Sequence, residues 1–442
     1  MTQTTHTKTI AFHTLGCKLN FAESSDLLKK FTLNGYTQID FHEKADVYVI
    51  NTCSVTQIAE KKCRNAIRQA SHLNPKALIA VIGCFATLRP KEIQQIEGVD
   101  IILGNEEKHK LYDYVSQNDI EWLNTVSTNN ENVSNTPINI NNNIIASSAE
   151  DRTRCFLKIQ DGCDYFCSYC TIPYARGRSR SAKISEVIDV IKKIEDEGKK
   201  EIILSGINIG TFGKTNGETF FDLIKALEVQ TNIERYRISS IEPNLLTEEM
   251  IDFIAESRSF LPHFHIPLQA GTDFLLTAMK RKYDTHFFSE RLHYIHSKLP
   301  QAFIAADVIV GFCGETEVEF EKSKTFIENL EPLSALHVFT YSERPNTFSV
   351  NLTGKVPHYI RKQRSFSLQK VSQKKKLHFY NRNSETRHKV LWESNNDCGY
   401  MYGFTDNYIR VCKPFNADSV NTIEEIKLEN LDMEKMMFVL NG

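Results

Sequence analysis

The sequence predicts an α/β protein in three parts: an N-terminal α/β domain with a parallel sheet, a central partial barrel of six βα units, and a small C-terminal β-barrel. Three observations carry this. Residues 9–115 alternate short β-branched runs with helix-compatible stretches, residues 152–371 repeat the alternation over six runs, and beyond Gln373 short strand-like runs are separated by Gly and Asn turns. A chain of 442 residues is too long for one ordinary core.

In the first part, the runs Thr9–Gly16, Ala45–Thr52 and Ala77–Gly83 each end in a cysteine, which places Cys17, Cys53 and Cys84 at the carboxyl ends of parallel strands. Open α/β sheets gather their ligands at that edge. From Val126 to Glu150 the chain turns to Asn, Ser and Thr, including Asn141, Asn142 and Asn143, and reads as a linker with little to bury. The second part then offers strands at Cys155–Gln160, Ile202–Gly206, Tyr236–Ile241, His263–Gln269, Ala305–Gly311 and Leu336–Tyr341. Right-handed crossovers would put the helices outside a curved parallel sheet. The third part shows strands at Val390–Trp392 and Tyr408–Val411. The expected domains are therefore 1–125, a linker over 126–150, 151–372 and 373–442.

Composition narrows the function. The chain is 41% hydrophobic and 24% charged, with no apolar run near the roughly 20 residues that span a bilayer. Its first residues carry no apolar signal core, so a cytoplasmic protein is expected; a monomer is the separate expectation for its assembly. A net charge of −2 gives no global sign of nucleic-acid binding, so any such surface must be local. No G-x-S-x-G elbow, phosphate-binding loop or HExxH helix is present.

Eleven cysteines in such a chain argue for metal or redox use rather than a disulfide framework. Cys163-Asp-Tyr-Phe-Cys167-Ser-Tyr-Cys170 places three thiols in one short loop after a strand. Thiolates select iron–sulfur clusters or zinc, and three ligands on a cubane cluster leave one iron open for chemistry. A zinc knuckle would need a fourth Cys or His at finger spacing, and none follows. Cys17, Cys53 and Cys84 form a second set of three; isolated core cysteines are the bland alternative, weighed against their common place at one sheet edge.

The spacing C-x-x-x-C-x-aromatic-C, with Tyr169 as the aromatic, resembles the radical S-adenosylmethionine superfamily. With Thr14-Leu-Gly-Cys-Lys-Leu-Asn20, Asn51-Thr-Cys-Ser-Val-Thr56, Ile82-Gly-Cys84 and Asp161–Gly177, the resemblance sharpens to the methylthiotransferase family over nearly the whole chain. That resemblance implies an auxiliary 4Fe-4S cluster on Cys17, Cys53 and Cys84, and a radical cluster on Cys163, Cys167 and Cys170 within a barrel of radical SAM type. It also implies a C-terminal TRAM-like RNA-binding domain, S-adenosylmethionine as methyl donor and radical source, and a reductant such as flavodoxin or ferredoxin. No catalytic side chain beyond the cluster ligands is called for. The remaining Cys63, Cys155, Cys313, Cys398 and Cys412 match no ligand position and are expected to be packing residues.

Radical enzymes of this kind often carry Gly-Gly-Glu on the second barrel strand; this chain has Ser205-Gly206-Ile207-Asn208. The candidates for S-adenosylmethionine contacts are Tyr169, Gly206, Asn208, Ser239, Ser240, Glu242 and Gln269, with strand-end hydrogen bonding or capping as the alternative for the polar ones. Two basic clusters are candidates for RNA phosphate. One is Arg176, Arg178, Arg180 and Lys183; the other is the run Arg361, Lys362, Arg364, Lys370, Lys374, Lys375, Lys376 and Arg382, centred on Lys374, Lys375 and Lys376. A solvated face is the alternative for both.

Family members act on threonylcarbamoyl-adenosine or isopentenyl-adenosine in transfer RNA, or on an aspartate of a ribosomal protein. Leu-Gly-Cys-Lys-Leu-Asn with Asn-Thr-Cys-Ser-Val-Thr and Gly177-Arg-Ser-Arg-Ser181 most resembles the threonylcarbamoyl branch, with the anticodon stem-loop as the implied partner. A non-catalytic reading, an iron–sulfur electron carrier or an RNA-binding protein, fits less well, because carriers close their clusters with four cysteines.

Overall fold

The computed structural model describes residues 8–116, 144–148 and 153–440. The expected Asn-rich linker therefore lies largely outside the described residues.

In the first unit β1 (Thr9–Thr14), α1 (Lys18–Thr32), β2 (Thr37–Gln38), β3 (Val47–Thr52), α2 (Gln57–Leu73), β4 (Leu78–Gly83), α3 (Cys84–Leu88), α4 (Pro90–Gln94), β5 (Ile101–Leu103) and α5 (Leu111–Ser116) follow in order. The five strands form one parallel sheet in the order β2-β1-β3-β4-β5. Strand period two decides which side each residue faces. Ile10, Val47, Val49, Ala80 and Ile82 pack with Leu27, Leu28 and Phe31 of α1, and Tyr48, Ile50, Ile79 and Val81 pack with Ala66, Ile67 and Ala70 of α2. Both faces being covered, β3 is buried along its whole length and its first four residues, Val47–Ile50, are apolar.

The second unit opens with β6 (Ala146–Ser147), an antiparallel strand within the residues expected to be linker, which pairs with β7 (Arg154–Lys158). Then come β8 (Gln160–Asp161), α6 (Ile172–Arg176), β9 (Arg180–Ser181), α7 (Ile184–Asp196), β10 (Glu201–Ser205), α8 (Phe220–Gln230), β11 (Arg235–Ile238), α9 (Glu248–Glu256), β12 (His263–His265), α10 (Asp273–Ala278), α11 (Thr285–Lys298), β13 (Phe303–Val310), α12 (Glu317–Asn329) and β14 (Ala335–Thr340). Strands β7, β10 and β11 run parallel in one sheet and β12, β13 and β14 in another. The bridges Tyr236–Phe260 and Ser240–His265 join the two, giving the six-stranded partial barrel. A single apolar core lies between its strands and its surrounding helices.

The third unit is a six-stranded, mainly antiparallel sheet built from β15 (Arg387–Trp392), β16 (Tyr400–Thr405), β17 (Arg410–Pro414), β18 (Ile423–Lys427), β19 (Leu431–Asp432) and β20 (Met437–Val439). The boundary expected at 372/373 falls inside one helix, α13 (His358–Arg382). Phe379 and Tyr380 at its end share a core with Phe303 and Ala335 of the barrel and Val390 and Trp392 of the third unit, so these units are packed as one. Arg235 and Arg237 of β11 complete this junction by donating to the carbonyls of Lys389, Phe404, Thr405 and Asp406.

Candidate active site: two cysteine triads across one cavity

Cys17, Cys53 and Cys84 follow β1, β3 and β4, which are neighbours in the sheet, so the topology gathers three thiols at its carboxyl edge. Polar side chains lock the three loops together. Asn20 donates to the carbonyls of Leu15 (2.7 Å) and Thr52 (3.1 Å), Asn51 donates to Asn20 O (3.0 Å), and Thr52 donates to Ile82 O (2.6 Å). Gly16 has φ +107°, and a Cβ there would stand 2.8 Å from Cys53 Cβ. A side chain at that position would occupy the cluster space, so glycine is required. Cys17 is exposed, whereas Cys53 and Cys84 are buried.

The second triad sits on a loop pinched at its base. Strands β8 and β9 pair antiparallel and Cys163 N donates to Gly177 O at 3.1 Å. Gly162 has φ +69°, and a Cβ there would collide with Arg178 O at 2.0 Å. Ser168 ties the loop to the barrel through Met279 O (3.1 Å) and Ala278 O (2.8 Å). Arg281 donates to Cys167 Sγ at 3.0 Å and to the Tyr169 hydroxyl at 3.4 Å, and its guanidinium pairs with Glu242. Arg281 was not visible in the sequence, because no spacing links it to the cysteines.

Burial pushes Cys53 up to about 12 and Cys163 up to about 11, and it raises Cys17, Cys167 and Cys170 as well. Among the described residues neither triad closes to within 4.8 Å, sulfur to sulfur, as ligands of a single ion would. Three thiols spread more widely suit a cluster larger than one ion. The polar atoms around the second triad suit a polar cofactor: Ser239 Oγ and Asn208 Oδ1 are buried with no partner. Gly206 leaves room beside Gln160, whose Oε1 a Cβ would approach to 2.7 Å and which accepts from Asn208 N at 2.9 Å. Ser240 lies at the bridge to His265, Glu242 is engaged by Arg281, and Gln269 holds φ +68° while its backbone bonds to β13.

The two triads meet because α3, which starts at Cys84, packs on α6 through Leu88, Tyr174 and Ala175. Asn105 clips the contact by donating to Ala175 O (2.8 Å) and to Cys84 Sγ (3.4 Å). A cavity of about 210 Å³ lies between the loops, lined on one side by Val55 and Thr56 beyond Cys53 and on the other by Tyr169, Cys170 and Ile172. Gln269, Asp307 and Phe339 of the barrel complete it.

Several expected RNA contacts take other roles. Arg176 is fully buried and donates to Glu23 (3.1 Å), Asp161 (3.0 Å) and Asn20 (2.6 Å), so it cannot reach phosphate; it binds the first unit to the barrel. Arg180 pairs with Asp161 at 2.8 Å. Lys375 donates to the carbonyls of Glu328 (3.2 Å) and Leu330 (2.7 Å), satisfying the end of α12, and Arg361 and Arg364 are buried on Glu343 and Glu315. Lys376 lies half-buried over the Tyr380 ring. Arg178, Lys183 and Lys374 remain exposed. Cys398 is exposed rather than packed, in a turn with φ +51°, whereas Cys63, Cys155, Cys313 and Cys412 are buried as expected.

Residues 157–327 match the Radical SAM superfamily and residues 9–104 the uncharacterized protein family UPF0004. The threonylcarbamoyladenosine tRNA methylthiotransferase MtaB of Bacillus subtilis is 37% identical, covering 95% of this chain and 93% of its own. The MtaB of Aquifex aeolicus is 33% identical over 91% and 96%. A tRNA-2-methylthio-N(6)-dimethylallyladenosine synthase of Chloroherpeton thalassium is 29% identical over 95% and 93%. Among solved structures the radical S-adenosylmethionine methyltransferase TsrM of Kitasatospora setae, 12% identical, shares the fold with a TM-score of 0.53 over 78% of this chain and 77% of its own. Its sequence similarity to these relatives over nearly the full length places this chain in the radical SAM methylthiotransferase family.

Proposed function

We propose that this chain methylthiolates C2 of N6-threonylcarbamoyladenosine at position 37 of transfer RNA, with S-adenosylmethionine in two roles and a 4Fe-4S cluster on each cysteine triad. The observation that carries the reading is the cavity shared by the Cys53 loop and the Cys170 loop, which lets two differently placed clusters serve one substrate carbon. When bound, the clusters and S-adenosylmethionine would supply methyl-sulfur donation and radical hydrogen abstraction.

The chain's own residues do the holding. Cys17, Cys53 and Cys84 would bind the auxiliary cluster, and Cys163, Cys167 and Cys170 the radical one. Arg281 fixes the Cys167 sulfur by a charge-assisted hydrogen bond, Ser239 and Asn208 offer unpaired polar atoms to the cofactor, and Tyr169 and Gln269 line its chamber. Val55, Ile172, Ile309 and Phe339 form the apolar part of its wall. The exposed cations Arg178, Lys183 and Lys374, with the third unit as an RNA-binding surface, would receive the anticodon stem-loop.

The threonylcarbamoyl base is preferred because the two MtaB relatives match at higher identity than the dimethylallyladenosine synthase, whose similarity supports the second reading, an isopentenyl substrate. Mass spectrometry of transfer RNA nucleosides from cells with and without the protein tests the choice. Loss of methylthio-threonylcarbamoyl-adenosine alone is expected; loss of methylthio-isopentenyl-adenosine instead would transfer the function to the second reading.

A further inference from the structure

Three aromatic side chains line the cavity between the two triads: Tyr169, Phe339 and Tyr341. Two are already partnered. The Tyr169 ring meets Phe312 edge-on with centroids 6.2 Å apart, and its hydroxyl accepts from Arg281 at 3.4 Å. The Tyr341 ring meets the same Phe312 at 5.1 Å, and its hydroxyl donates to Ser349 Oγ at 2.8 Å. Phe339 is different. It lies on β14, the outer strand of its sheet, where Val338 turns into the apolar core and strand alternation sends Phe339 the other way. Its side chain is 46% exposed, and its ring pairs with no other ring among the described residues, although it lines the same cavity as Val55 of the Cys53 loop and Ile309 of β13. A large apolar ring left half in water at such a cavity is stabilised when a flat partner covers it.

We propose that Phe339 is the stacking platform for the adenine that is methylthiolated, holding the ring by its face so that the C2 edge points between the two cysteine triads. This rests on the reading above that the substrate is an adenosine of transfer RNA, whichever N6 substituent it carries. The C2–H bond lies in the plane of adenine, so chemistry at that edge leaves a face of the ring free for a side chain. Enzymes that act on a base take it out of its own stack and replace the lost contact with aromatic or apolar side chains. Stacking is tolerant of what the ring carries, so Phe339 fixes the ring and does not select its substituent.

The test is a double-mutant cycle on holoenzyme with both clusters reconstituted. Anticodon stem-loop RNAs carry threonylcarbamoyl-adenosine, isopentenyl-adenosine or an abasic site at the target position, and dissociation constants are read by fluorescence anisotropy. Removing the base should weaken binding to the unaltered enzyme by roughly 5- to 150-fold. Phe339→Ala should lose a factor of that size on the RNA that carries the base and bind the abasic RNA as the unaltered enzyme does, while Phe339→Tyr keeps the preference. Equal weakening on both RNAs would make Phe339 a residue of the general fold, and unchanged binding to both would make it a bystander in the wall. Either result, or an unaltered enzyme that does not register the loss of the base, overturns the assignment. Product analysis on the same RNAs separates this from the substrate reading. If only the isopentenyl RNA is methylthiolated, the threonylcarbamoyl reading falls while a cycle that holds leaves Phe339 in place; if neither RNA is methylthiolated, the adenosine reading falls and the role of Phe339 with it.

Discussion

Replacing Glu23 by Gln probes how the two triads are held in register. Glu23 lies on α1 of the first unit, and its carboxylate receives Lys158 (2.8 Å) and Arg176 (3.1 Å) on Oε1, and Lys108 (2.5 Å) and Arg176 (3.1 Å) on Oε2. Lys158 and Arg176 belong to the barrel unit, so one buried carboxylate joins the two cluster-bearing parts. Burial pushes the Glu23 carboxyl up, but Arg176, Lys108 and Lys158 outweigh it and hold it well below the carboxylate range. Removing the acid from a buried pair costs about 3–5 kcal/mol, because the cations it leaves behind are uncompensated. Gln keeps the shape and one acceptor, so the loss should fall near the lower end, about 3 kcal/mol. Native-state hydrogen exchange read by mass spectrometry localises it. Peptides covering α1 and β7–β8 should exchange roughly 100-fold faster in Glu23→Gln, while β15–β18 keep their protection. Acceleration below tenfold, or spread evenly over the chain, would refute the idea that this carboxylate clamps the interface.

Three further outcomes follow from the geometry. Cys167→Ala should abolish reductive cleavage of S-adenosylmethionine, whereas Cys53→Ala should leave deoxyadenosine detectable by chromatography and lose methylthiolation; the opposite pattern would exchange the roles of the triads. Arg281→Met removes the donor on Cys167 Sγ and leaves the half-buried Glu242 without its cation, so an altered electron-paramagnetic signal of the radical cluster is expected, with Arg281→Lys intermediate. Burial pushes the Glu201 carboxyl up, but Arg237, Arg235 and Arg154 outweigh it and hold it at about 2. Its folded pKa being depressed, its contribution is complete above the ordinary value of 4.5 and is lost as pH falls from there toward 2; urea midpoints should therefore drop over that range, and drop less in Glu201→Gln.

The sequence carried the cysteine triads because strand-end position and short spacing are local signals: Cys17, Cys53 and Cys84 each close an apolar run, and Cys163 to Cys170 share one loop. The six barrel strands were legible for the same reason. What joins distant segments was not. Arg176 and Glu23 are 153 positions apart and Arg281 and Cys167 are 114, so a run such as Arg176, Arg178, Arg180 read as a basic cluster for RNA phosphate although its first member is fully buried. Charge runs show no burial in sequence: α13 looked uniformly basic, yet Arg361, Arg364 and Lys375 turn inward to carboxylates and carbonyls while Lys374 stays outside. The boundary expected near residue 372 missed a continuous helix because α13 is amphipathic only weakly and ends where its aromatic residues enter the next core.

The central claim, that two separate cysteine triads each hold one cluster beside a common cavity, is tested most directly by iron content and Mössbauer spectra of anaerobically reconstituted protein. Changing Cys17, Cys53 and Cys84 together to Ala, or Cys163, Cys167 and Cys170 together, should leave one 4Fe-4S cluster per chain in each case, against two in the unaltered protein. A triple variant that keeps both clusters, or an unaltered protein that holds only one, would contradict the account.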